Sequence, residues 1–107
     1  MIKISYQLDR KNNFKSVIIQ GHAGYAEKGQ DIVCAAISAI TNGTINFLQK
    51  YYPADCRIVC FPSQISIYLL TEHSDCQLSL KLMLYQLKNV ANAFPNYLEI
   101  KKKHNNT

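Results

Sequence analysis

Apolar and polar side chains alternate from the first residues. Ile2, Ile4, Tyr6 and Leu8 share one face of an extended segment, which predicts a strand. The polar run Arg10-Lys11-Asn12-Asn13 reads as a hairpin turn, and a second strand is expected from Phe14 to about His22. Ala23 to Gln30, carrying Gly24, Gly29, Glu27 and Lys28, reads as a loop. From Asp31 the period lengthens. Val33, Ala36, Ile37, Ile40, Thr44, Phe47 and Leu48 recur at helical spacing, predicting a helix with Asp31 as N-cap that runs to about Lys50 and stops at Tyr51-Tyr52-Pro53.

Two further strands, Cys56 to Phe61 and Gln64 to Leu70, flank a turn at Pro62-Ser63. Ser74 and Gln77 fit a capping box ahead of a second helix, whose apolar face is Leu80, Met83, Leu84, Leu87, Val90 and Phe94 and which ends at Pro95. Tyr97 to Lys101 predicts a last strand. The fold class is α+β: a two-layer single domain of order ββαββαβ, with two helices on one face of a mostly antiparallel or mixed sheet. At 107 residues there is room for one core, so residues 1–101 are assigned to one domain and 102–107 to a polar basic tail.

Composition changes this picture little. Hydrophobic residues at 48% and charged residues at 18% suit a globular chain rather than a disordered one. The formal charge of +5 invites a nucleic-acid reading, but Lys101, Lys102 and Lys103 supply three of those charges and Arg10 and Arg57 are the only arginines. Direct nucleic-acid binding is therefore not expected. The amino-terminal alternation does not resemble a signal peptide, and no continuous apolar run approaches the roughly 20 residues that span a bilayer. A cytoplasmic location without membrane association is expected, with the four cysteines as thiols.

Those cysteines differ in prospects. Cys56 and Cys60 lie four apart on a strand, about 13 Å between Cα atoms, too far to pair with each other, and are expected to line the core face with Ile58. Cys76 is expected to be structural. No C-x-x-C motif is present, so neither a metal nor a cofactor is expected. His73 and His104 read as surface residues.

Cys34, by contrast, follows a glycine-bearing loop near the start of a helix, where partial positive charge favours thiolate, although an Asp31 carboxylate capping that helix would oppose it. His22, at the end of a strand across the same loop, is the nearest candidate base. Ser38, one turn beyond Cys34, can hold an imidazole or a substrate group or bond its own backbone. Free amides at the helix start suit an oxyanion, and Gly21 admits either a substrate backbone or a strand bulge. Taken from spacing alone, these residues fit acyl transfer by Cys34 and His22 and equally a packed cysteine beside a strand-ending histidine.

Gly21-His22-Ala23, then Gly29, then Asp31-Ile32-Val33-Cys34-Ala35-Ala36 with Ser38-Ala39, resembles the signature of the ribosomal-processing cysteine protease family Prp. The resemblance implies a bacterial cytoplasmic endopeptidase with Cys34 as nucleophile and His22 as general base and acid. It also implies that Asp31 and Ser38 support the site and that Gly24 and Gly29 loosen a substrate loop. The implied substrate is a large-subunit ribosomal protein precursor with an N-terminal extension, and the implied assembly is a homodimer. Two rivals stay open at this point: a non-catalytic ribosome-associated binding module, and a thiol sensor pairing Cys34 with Cys56, Cys60 or Cys76.

Overall fold

The computed structural model describes residues 1–21 and 28–103, with the backbone alone at 28–31. Its elements follow the expected order: β1 (Ile2–Leu8), β2 (Phe14–Gln20), α1 (Lys28–Tyr51), β3 (Cys56–Phe61), β4 (Gln64–Leu69), α2 (Ser74–Ala93) and β5 (Leu98–Lys103). The five strands form one mixed sheet in the order β3-β4-β2-β1-β5, in which β5 is parallel to β1 and the other neighbours are antiparallel.

Local chemistry explains the elements. The β1–β2 turn is held by Asp9, whose Oδ1 accepts from the Lys11 and Asn13 amides at 2.8 and 3.0 Å. Asn12 takes φ 65° there, a left-handed conformation that asparagine tolerates. A bulge at Gln7/Leu8 then restores the register.

Alternation sends Ile2, Ile4, Val17, Ile19 and Ile67 to one face of the sheet, where they meet Val33, Ile37, Ile45 and Leu48 of α1 and Leu80, Met83, Leu84 and Leu87 of α2. Each such side chain contributes about 1.5–3 kcal/mol on burial. Over Ile32–Tyr51, α1 has the length and mean hydropathy, 1.3, of a membrane-spanning helix. One stripe of it is nevertheless buried in this core, as in the core helix of a globular domain.

Several boundaries differ from expectation. Helix α1 begins at Lys28, so Gly29 and Asp31 lie in its first turn rather than in a loop and at the cap. An acidic residue suits that first turn, where it faces the positive end of the helix dipole, so Asp31 need not mark the start. The buried stripe of α1 passes through Thr41 and Ile45, with Thr44 half-buried and Phe47 exposed.

At α2 the cap is His73, not Ser74. Its Nδ1 accepts from the Asp75 amide at 3.1 Å. Gln77 is thereby released from a capping box and bonds the backbone of Phe14. Strand β5 runs on to Lys103, because pairing with β1 continues through Gln7 and draws all three lysines into the sheet. Cys56 is buried as expected, whereas Cys60, near the end of an edge strand, is exposed.

Candidate active site

The sheet end where β1 starts and β2 finishes is the end over which α1 begins. Ile2, Ile19 and Ile65 floor a small cavity there, of about 50 Å³, and Cys34, Ile37, Ser38 and Thr41 roof it from α1. These four helix positions share one stripe, so the periodicity that buries α1 also aims Cys34 at the sheet end. Cys34 is half-buried and Ser38, one turn on, is exposed.

Gly21 follows β2 directly and adopts φ 78°. Its N–H donates to the Ser63 carbonyl at 3.0 Å. A Cβ at this position would lie 3.1 Å from the backbone oxygen of Met1. Both the dihedral and the close approach require glycine. The turn after β2 is thus pinned against the chain start and the β3–β4 hairpin. His22, the next residue, and Gly24 lie outside the described residues.

With α1 starting at Lys28, Cys34 is its seventh residue, so the Cys34 amide falls within the helical ladder and the helix start lies more than one turn ahead of it.

Thr41 is the site residue that sequence reasoning missed. It is 1% exposed, and its Oγ1 has no hydrogen-bond partner among the described residues. Thr44, by contrast, donates to the Ile40 carbonyl at 3.0 Å. The signal was present in the chain, since Thr41 stands three residues beyond Ser38 and seven beyond Cys34, on the same helical face.

The other cysteines are placed differently. Burial, and then the nearby carboxylate of Asp55, push the Cys56 and Cys76 thiols above the ordinary range, which disfavours thiolate chemistry at either. Among the described residues no group of three His, Cys, Asp or Glu side chains converges to hold a metal ion.

Comparison with known proteins places this geometry. A family model described as cysteine protease Prp matches residues 1–99. The ribosomal processing cysteine protease Prp of Mycoplasma genitalium is 36% identical over 102 residues, covering 94% of this chain and 94% of its own. Its counterpart in Mycoplasma pneumoniae is 35% identical over 78 residues, 73% of this chain and 77% of its own.

Among solved structures, the essential ribosomal processing protease Prp from S. aureus in complex with a substrate peptide matches with a TM-score of 0.88 at 25% identity, covering 96% of this chain and 100% of that one. The same protease with a covalently linked product peptide matches with a TM-score of 0.85 at 26% identity, with the same coverage. Sequence match over nearly the full length and agreement of the whole fold lead to one assignment: this chain belongs to the cysteine protease Prp family.

Proposed function

We propose that this cysteine protease removes the N-terminal extension of a large-subunit ribosomal protein in the bacterial cytoplasm, with Cys34 as nucleophile and His22 as general base and acid. The observation that carries the reading is that Cys34 roofs a cavity at the sheet end where β2 ends, just before Gly21, the residue preceding His22. The relatives' names and the two peptide complexes of the S. aureus protease support the substrate class.

In this mechanism the His22 imidazole takes the Cys34 thiol proton, and the thiolate attacks the scissile carbonyl carbon. First-turn amides of α1 face the developing oxyanion. His22 then returns its proton to the leaving amine as the C–N bond breaks. Water, deprotonated in turn by His22, releases the acyl group from sulfur. Ser38, one turn from Cys34, positions the imidazole or the peptide. Asp31 acts from the first turn of α1, and Gly21, without a side chain, lets the substrate backbone approach beside His22.

The outer face of the helix layer supports a homodimer. Phe47, Leu78 and Leu82 are exposed around a groove of about 470 Å³ that Gly43 and Thr44 help to line. An apolar face of this kind on a small domain is one that a second copy covers.

The test incubates wild type and Cys34→Ser with the same organism's extended ribosomal protein and reads intact masses. Cleavage at one N-terminal position by the wild type alone is the expected outcome. Cleavage by both overturns the nucleophile, and cleavage by neither overturns the substrate.

A further inference from the structure

The sheet face turned away from the helices carries a side-chain array that the linear sequence does not reveal. The strand registers lay it out in three rows. The first row runs Arg57, Tyr68, Ser16, Gln7, Lys103; the second Val59, Ser66, Ile18, Ser5, Lys101; the third Phe61, Gln64, Gln20, Lys3, Glu99. Glu99, ion-paired with Lys101 at 2.9 Å, is the one carboxylate in the array. Lys15, at the bulge, joins Arg57, Tyr68, Ser16 and Gln7 in lining a depression of about 360 Å³ along the first row.

Among the described residues this face therefore sets Lys3, Lys15, Arg57, Lys101 and Lys103 against a single acid. Asp9, Asp55, Glu72 and Asp75 all lie off it, in turns, connections or the first turn of α2. The modest net charge of the body conceals this segregation.

Aromatic rings are interleaved with the cations. Tyr68 is 38% exposed and Phe61 62% exposed, on neighbouring strands. Between them and the lysines lie the buried Ser16 and Ser66 and the mutually bonded amides of Gln20 and Gln64, which hold the platform flat and leave contact to the rings and cations. Five strands at about 4.8 Å spacing give a platform about 19 Å across. A flat sheet with exposed rings for bases to stack on and flanking cations for phosphates is the arrangement by which sheet modules hold single-stranded RNA. A lipid surface would call for a larger apolar protrusion, and an acidic protein would leave the rings without a role.

We infer that this sheet face, which no described element covers, binds single-stranded RNA, with Arg57, Lys103 and Lys15 on phosphates and Tyr68 stacking a base. The depression lies on the opposite face of the sheet from Cys34, so RNA contact and peptide cleavage do not compete for the same surface.

The test titrates the full chain into a fluorescein-labelled ten-nucleotide oligouridine RNA and follows anisotropy. With about three phosphates neutralised, affinity falls roughly 20-fold between about 50 and 200 mM KCl. Lys103→Glu weakens binding and flattens that salt slope. Tyr68→Ala costs roughly 5- to 150-fold with the slope unchanged, and Tyr68→Phe retains the affinity. Lys102→Glu is the charge-matched control, since its register partner Tyr6 places it on the helix side of the sheet; it leaves binding within about twofold.

Circular dichroism confirms that each variant is folded. Absence of saturable binding at about 50 mM KCl overturns the inference. So does equal weakening by Lys102→Glu, which would make the effect bulk charge only. Binding to phosphatidylglycerol vesicles in place of the RNA overturns it as well.

Discussion

The side chain of Gln77 clasps the backbone of Phe14: its Oε1 accepts the Phe14 N–H at 2.6 Å and its Nε2 donates to the Phe14 carbonyl at 3.0 Å. One amide thus ties the first turn of α2 to the residue that opens β2, two residues before the pairing with β4 begins at Ser16. Gln77→Ala is expected to cost about 1–3 kcal/mol, because both partners are part-buried and would be left unpaired. Urea denaturation measures this; an unchanged midpoint would mean the clasp contributes nothing.

Gly21→Ala is expected to destabilise the chain by about 1–2 kcal/mol from the left-handed dihedral alone. Contact with the Met1 carbonyl adds to this. For a domain of this size that lowers Tm by roughly 4–8 °C per kcal/mol. Cleavage of the extended ribosomal protein, assayed well below the lowered Tm, is expected to fall further than the unfolded fraction accounts for, since the substitution re-aims the segment leading into His22.

Thr41→Val replaces a buried hydroxyl, unpartnered among the described residues, by an isosteric methyl. A gain of about 1 kcal/mol is expected, because no hydrogen bond is lost and a desolvated polar atom is removed. A loss in the same denaturation assay would instead place a hydrogen-bonded water in the cavity beneath Cys34.

Asp9 supplies the acid-side prediction. The Asn13 amide foremost, and that of Lys11, hold its carboxyl below the usual carboxylate value. A folded pKa below the unfolded one stabilises fully above the unfolded value, and that stabilisation is lost as pH falls through the folded one. Asp9→Ala is therefore expected to lower Tm at pH 7 and to narrow the difference in Tm between pH 7 and pH 3. An equal drop at both pH values would show that the carboxylate charge is irrelevant to the turn.

The periodic parts of the chain were the legible parts. Alternation at Ile2, Ile4, Val17 and Ile19 and the Leu80–Leu87 stripe led to the right elements and the two-layer order, because burial of one face dictates both. What escaped were positions settled by competing local bonds. Asp31 has the chemistry of a cap, yet the helix starts three residues earlier. Ser74 and Gln77 make a good capping box, yet the His73 ring and the Phe14 backbone outbid them. The lysines at 101–103 look like a frayed tail until β1 offers them a partner. At the candidate site, spacing and resemblance single out Cys34 and Ser38, which line one cavity, whereas Thr41, lining it too, was passed over because a threonine in an apolar stripe reads as packing.

The parallel pairing of β5 with β1 joins the two ends of the chain, Ile2 beside Leu98. Contacts so distant in sequence carry the largest loop-closure cost, and in a nascent chain they cannot form while the last strand is still inside the ribosomal tunnel. Until then β1 is an open edge, and the cavity floor supplied by Ile2 lacks its outer neighbour. A molecule cut short of Leu98 thus presents an aggregation-prone edge instead of a finished protease.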